Sequence, residues 1–323
     1  MKNGLLLIIP LLMAVVGSSQ AQSKEGVAKE TAWYKYEANP VLGGGALGTI
    51  FDVCVLKDGE RYLMYNSWRP KESIGLSFSA DGFNWSLPTI VLPPDKTTGW
   101  EDNINRISVV KKDGVYYMWY TGQARDSSWI GFATSGDGTY FKRQSKQPVL
   151  SPELAWEKVA VMCPHVEWDA KEKLWKMWYS GGEQYEPNAI GYATSKDGLN
   201  WTKYGGNPIF SADPARQWEQ HKVTACQIIK RKKDYLMFYI GFRDENFAQI
   251  GMARSKDGIT GWTRYEHNPI ILPTPDGWDA SACYKPFAIQ EPKKDRWLLW
   301  YNGRNGGLEQ IGVVIHKGKN LEF

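Results

Sequence analysis

Apolar residues fall in short runs between turn residues from about residue 50 onward, and the order of the runs repeats. An apolar run (51–56, 106–111, 162–168, 224–230, 284–289) comes first. An aromatic run follows: LMYNS at 63–67, YMWYTG at 117–122, KMWYSG at 176–181, LMFYIG at 236–241 and LLWYNG at 298–303. Runs of this length, bounded by Gly, Asp and Pro, predict strands. A third run ends in an S-x-D-G turn in GLSFSADGFNW (75–85), GFATSGDGTYF (131–141), GYATSKDGLNW (191–201) and GMARSKDGITGW (251–262). Asp-Gly between β runs predicts a hairpin because Gly takes φ > 0 freely, so Asp81, Asp137, Asp197 and Asp257 are turn formers. A fourth strand is expected around W-x-x-Y-x-x-N-P.

Four strands in each repeat of about 55–60 residues predict the blades of a β-propeller. The last repeat lacks its fourth strand, yet WYKYEANPVL at 33–42 matches WTKYGGNPIF (201–210) and WTRYEHNPII (262–271). The expected fold is therefore all-β: a five-bladed propeller closed by an N-terminal strand that completes the C-terminal blade. Such exchange leaves no sheet edge exposed at either terminus. Residues 22–323 are expected to form this single domain.

Composition adds a compartment and removes partners. Lys2 precedes an apolar run, Gly4 to Val16, and Ser19-Gln20-Ala21 has the small-x-small pattern of a cleavage site. Residues 1–21 thus read as a secretory signal and the mature chain as extracytoplasmic, periplasmic or secreted. No other stretch reaches the roughly 20 apolar residues of a membrane span. A net charge of +4 with both signs interspersed gives no nucleic-acid footprint. Cys54, Cys163, Cys226 and Cys283 lack metal-ligand spacing and read as small buried hydrophobes, with a Cys163–Cys226 disulfide left open. Neither a metal nor another cofactor is expected. The 16 Trp and 17 Tyr suit a β core and equally suit stacking on sugar rings, so the expected partner is a carbohydrate.

In a propeller, the loops before strand one and after strand two share a face. Residues that recur there in every blade are architectural, and residues that break the repeat are functional candidates. Trp100-Glu101, Trp156-Glu157, Trp218-Glu219 and Trp278-Asp279 recur, so their carboxylates read as structural. Asp52 stands out, because its equivalents are read as Ile107, Cys163, Ala225 and Lys285. Around it the same face offers Asn105, Arg106, His165, His221, Lys222, Tyr284 and Lys285. The strand-two exits add Arg69, Glu183, Glu186, Arg243, Asp244, Arg304 and Glu309.

Repeats of the form MWYSG…IGYATSKDGLNWTKY…NPIF resemble those of the five-bladed propeller glycosidases, glycoside hydrolase family 43 and relatives acting on arabinofuranosides, fructosides and mannosides. The resemblance spans the mature chain. It implies a general base on blade one, and Asp52-Val53-Cys54-Val55-Leu56-Lys57-Asp58-Gly59 matches that motif except for its Pro. It also implies a general acid on blade three, where this chain has Met162-Cys163-Pro164-His165, and a middle Asp near Ile107 or Ser108, where it has none. Glycosidic cleavage needs a proton donor and, for inversion, a base about 6.5–9.5 Å away. Glu183, Asp244 and Glu186 are the acid candidates in that order, with His165 or His221 as substitutes. Asn105, Arg106, His165, His221, Lys222, Arg243, Tyr284, Lys285 and Arg304 would bind substrate, and Trp68, Trp129 and Tyr185 would stack on sugar faces. The leading reading is a secreted hydrolase of an arabinofuranoside-type plant or algal glycan. The alternatives are a non-catalytic sugar-binding propeller, and a mannoside-type phosphorylase using His221, Lys222 and Arg243 for phosphate.

Overall fold

The repeat unit appears strand for strand in a computed structural model, which describes residues 1, 32–183, 187–321 and 323. Apart from Met1, the expected signal segment lies outside these residues, as do Tyr185 and Glu186. Strand β1 (Trp33–Lys35) precedes a first unit of β2 (Ile50–Asp58), β3 (Arg61–Trp68), β4 (Ser73–Ser79) and β5 (Thr89–Leu92). The second unit is β6 (Asn103–Lys112), β7 (Val115–Ala124), β8 (Ser127–Ser135) and β9 (Lys142–Arg143). The third is β10 (Ala160–Asp169), β11 (Leu174–Gly182), β12 (Ala189–Ser195) and β13 (Trp201–Lys203), with β14 (Phe210–Ser211) also pairing β12. Then come β15 (Lys222–Lys230), β16 (Tyr235–Phe242), β17 (Ala248–Ser255) and β18 (Thr263–Arg264). Last are β19 (Ala282–Glu291), β20 (Arg296–Asn305) and β21 (Leu308–Lys317). Strands are antiparallel within each unit, and no α-helix occurs among the described residues.

The last unit takes its outer strand from the N-terminus. β1 pairs antiparallel with β21, Trp33 opposite His316 and Lys35 opposite Val314. Beyond it, the Asn39 amide exchanges two hydrogen bonds with the Val313 backbone, both 2.9 Å. Asn207 does the same to Tyr192, and Asn268 to Met252. The side-chain amide thus stands in for one more rung of the ladder where the following Pro has no N–H to offer.

The recurring Trp-carboxylate pairs prove architectural. Glu101, Glu157, Glu219 and Asp279 are fully buried, which demands partners. Each accepts from a second-strand tyrosine: Tyr120 (2.9 Å), Tyr179 (2.7 Å), Tyr239 (2.7 Å) and Tyr301 (2.8 Å). Each also meets a cation from the outermost strand: Arg143, Lys203, Arg264 and, from β1, Lys35.

The S-x-D-G turns join neighbouring units. Asp81, Asp137, Asp197 and Asp257 accept backbone N–H groups two and three residues on, which holds their carboxyls well below the usual range. The turn Gly carbonyl then accepts an indole N–H from another unit: Trp119 to Gly198, Trp178 to Gly258 and Trp300 to Gly82. The last contact brings the final unit against the first, as does Tyr62 donating to Glu291 at 2.5 Å. The core fills the space between sheets, for example where Trp119 packs on Trp175 with ring centroids 5.0 Å apart. All four cysteines are buried, and none forms a disulfide among the described residues.

Candidate active site

Every first strand contains a register shift against its neighbour, between Phe51 and Cys54, Asn105 and Ser108, Met162 and His165, Thr224 and Cys226, and Tyr284 and Phe287. A bulge bends the strand and re-aims a side chain. The residue at each shift has positive φ: Asp52 48°, Arg106 52°, Cys163 53°, Ala225 38° and Lys285 50°. None is glycine, and such backbone costs about 1–3 kcal/mol where the surroundings hold it. Part of the support comes from neighbouring units: the N–H of Arg106, Cys163 and Ala225 donates to Ser67 (2.8 Å), Thr121 (3.1 Å) and Ser180 (2.8 Å). The equivalent of Asp52 in the second unit is thus Arg106 and not Ile107. The bulge displaces the register by one residue, which counting along the sequence misses.

Four of these five positions, all but Lys285, line one small cavity of about 30 Å³, together with Phe51, Thr224, Tyr284 and Glu309. Asp52 is 5 % exposed and its Oδ2 lies 3.2 Å from Arg106 Nε. Burial pushes the Asp52 carboxyl above its ordinary value; Arg106, Lys285 and Arg69 pull it down, and Glu309 pushes it up. Turning the Asn302 amide lets its nitrogen donate to Tyr284 O (3.1 Å) and Asp52 Oδ1 (3.3 Å). Asn105 Oδ1 accepts from Arg106 Nη1 at 2.8 Å, so Asn105 orients the arginine. Glu309 receives Arg69 Nη2 and Tyr284 Oη, each at 3.1 Å. The cavity therefore holds two carboxylates, Asp52 in contact with Arg106 and Glu309 with Arg69. Glu309 escaped notice as a reactive group because it lies on β21, the third strand of its unit. Lys285 is 4 % exposed and makes no hydrogen bond or ion pair among the described residues, although its charge reaches Asp52. Thr224 Oγ1 is buried and has no partner among them either.

The acid candidates named from the sequence sit elsewhere. Glu183 is paired with Lys222 and Lys158, each at 3.0 Å, which holds its carboxyl down at about 2. Asp244 accepts from the Asn246 and Phe247 backbone and from Arg243, and is also held low. A carboxyl kept ionised is a poor proton donor, and neither lines the Asp52 cavity. Lys222 and Arg243 are thereby engaged with Glu183 and Asp244 rather than with Asp52. His221 is exposed outside the cavity, and Arg304 donates to Asn246 O at 2.6 Å. His165 lies midway along β10 and lines the cavity on the other side of the bulges from Asp52, its Nε2 2.9 Å from Ile228 O. Two residues of rise, about 7 Å, separate it from Cys163. Met162, in the position the resemblance assigns to the acid, is wholly buried. Trp68 donates to Leu47 O, and Trp129 lies beside Arg125.

Comparison with known proteins bears on the fold and the family. A 1,2-beta-oligomannan phosphorylase of Thermoanaerobacter sp. (strain X514) is 25% identical over 240 residues, 70% of this chain and 73% of that protein. An uncharacterised protein of Mycobacterium tuberculosis is 27% identical over 221 residues, 64% and 69% of the two chains. A thermostable family-43 glycoside hydrolase superposes with a TM-score of 0.69 at 20% identity, covering 89% of this chain and 96% of its own. A structure from the mannoside phosphorylase family that contains glycoside hydrolases targeting β-1,2 mannosidic linkages gives 0.70 at 17%, covering 90% and 95%. These two likenesses establish a shared propeller-like glycosidase fold. The profile described as "Glycosyl hydrolases family 32 N-terminal domain" matches residues 56–224, which run from the first unit into the fourth. With more than half of its length inside that match, the chain belongs to the glycosyl hydrolase family 32 N-terminal domain family.

Proposed function

We propose that the chain is a glycoside-cleaving enzyme with Asp52 as its proton-transferring group, built as a five-bladed ring closed by β1. The observation that carries this is one buried carboxyl, Asp52, held at a strained bulge in a cavity that also contains Glu309. Burial favours the protonated carboxyl, whose proton passes to the leaving oxygen, so Asp52 acts as the acid and not as the base that the resemblance implies; Arg106 at 3.2 Å stabilises the carboxylate left behind. Glu309, fixed by Arg69 and Tyr284, is the second carboxylate; it orients the incoming acceptor and takes the proton that an attacking water releases. This places the partner of Asp52 on β21 and leaves Glu183 and Asp244 at the rim.

Water as acceptor makes the enzyme a hydrolase, and an arabinofuranoside or a β-mannoside is the substrate to try first. The second reading is phosphorolysis. It is favoured by the phosphorylase relative and by three cations, Arg69, Arg106 and Lys285, acting on Asp52. Residues 1–21 serve as a secretory signal, and the pocket works outside the cytoplasm. Incubation with aryl furanosides, aryl mannosides and β-1,2-mannobiose, with and without phosphate, tests both readings. Free sugar without phosphate supports hydrolysis, and a sugar 1-phosphate formed only with phosphate supports phosphorolysis. Sugar binding without turnover of any of them contradicts both.

A further inference from the structure

The hairpins that join the first and second strands of each unit all turn at the end away from Asp52. They cover residues 57–61, 111–115, 169–174, 230–235 and 291–296. These tips hold thirteen Lys and Arg against eight Asp and Glu, a surplus of five, while the whole chain has 39 against 35. The rest of the chain is therefore close to neutral, and the positive charge is concentrated on one face. Two of the eight carboxylates, Asp169 and Glu291, are buried and ion-paired with Lys230, Lys294 and Arg296 of the same tips, and the surplus of five already counts these pairs.

This face is concave. A cavity of about 630 Å³ opens at the end of the first strands, with Lys57, Lys112, Trp168, Lys230 and Phe287 among its walls. A second, of about 870 Å³, shares Ile229 and Lys230 with it and continues past Arg231, Lys232, Trp297 and Lys319. Lysine heads thus stand along a trough whose floor is apolar and aromatic, and Lys112 lies 4.7 Å over the Trp168 ring. A flexible polymer with alternating apolar faces and anionic groups fits such a trough. A flat bilayer would not reach Trp168 and Phe287 in its floor.

We propose that this face is a second carbohydrate site, for an acidic polysaccharide such as a polyuronate, whose sugar faces lie on Trp168 and Phe287 and whose carboxylates meet the lysines. It is independent of the chemistry at Asp52, at the other end of the first strands. The test is affinity electrophoresis of the purified protein through polygalacturonate, with neutral mannan as control and anionic phosphatidylglycerol vesicles as the competing surface. Retention by polygalacturonate is expected, weakening about tenfold on going from low to high salt because the attraction is screened. The K112E/K232E double variant should lose at least about tenfold in affinity, and K112R/K232R should keep it, since the charge is retained. Asp52→Asn should bind polygalacturonate as the wild type does, which separates this site from the catalytic reading. No retention at low salt, undiminished retention of the charge-reversed variant, or tighter binding to vesicles than to polygalacturonate would overturn the proposal.

Discussion

Two kinds of buried carboxylate occur in this molecule, and they differ in company. Glu101, Glu157, Glu219 and Asp279 recur in four units, and each is closed in by a tyrosine hydroxyl and a cation from the outermost strand. Asp52 occurs once, at a bulge whose four equivalents are Arg, Cys, Ala and Lys, and it faces a cavity. The first kind ties a unit together and has no capacity left for a ligand. The second has Arg106 on one oxygen, the Asn302 amide on the other, and a cavity in front. Repetition therefore marks the structural carboxylates, and burial alone does not tell them from Asp52, to which the proposed function assigns the chemistry.

The sharpest way to break the comparison on the structural side is Glu157→Gln. It removes the carboxylate that Lys203 and Tyr179 share, leaving Lys203 with Ser151 O and the exposed Glu153 and Tyr179 with the Asn207 amide, and a loss of about 3 kcal/mol is expected in denaturant melts. Hydrogen bonds hold the Glu157 carboxyl below its ordinary value despite burial, so its stabilisation is present above the unfolded-state pKa and fades as pH falls through the folded one. The deficit of the variant should accordingly shrink in acid. Lys35→Met removes the cation that β1 supplies to Asp279 and should cost about 2 kcal/mol, read as a lower melting temperature. Asp52 has the opposite sign. Its folded pKa is raised, so its contribution is full below the unfolded value and is lost as pH rises through the folded one. Asp52→Asn should then melt no lower than wild type at pH 7, and wild type should gain on it in acid. Smallest of all, Glu183→Gln and Asp244→Asn should each alter turnover by less than about twofold, since both are ionised rim groups outside the cavity.

Much of the architecture was legible because it depends on local signals. The S-x-D-G turns, the aromatic second strands and the match between 33–42 and 201–210 each follow from residue type and spacing, and β1 does lie on β21. The structural role of the Trp-carboxylate pairs could be read from their recurrence alone. The site was less legible, for two physical reasons. A β-bulge is invisible to counting, so Arg106 was taken one residue out of register, and His165 was set on the face from which the strand carries it away. Ion pairs form between segments distant in sequence, so nothing near Glu183 or Asp244 announced that lysines and backbone amides hold them ionised, and nothing near Glu309 announced its place beside Asp52.

The central claim, that the carboxylate breaking the repeat carries the chemistry, is tested most directly by turnover of Asp52→Asn on whichever glycoside the wild type cleaves, with a thermal melt of the same sample. The expected result is a fall in kcat of at least about 100-fold with the melting temperature preserved. Turnover within about twofold of wild type would contradict the account, since no general acid–base group is that dispensable.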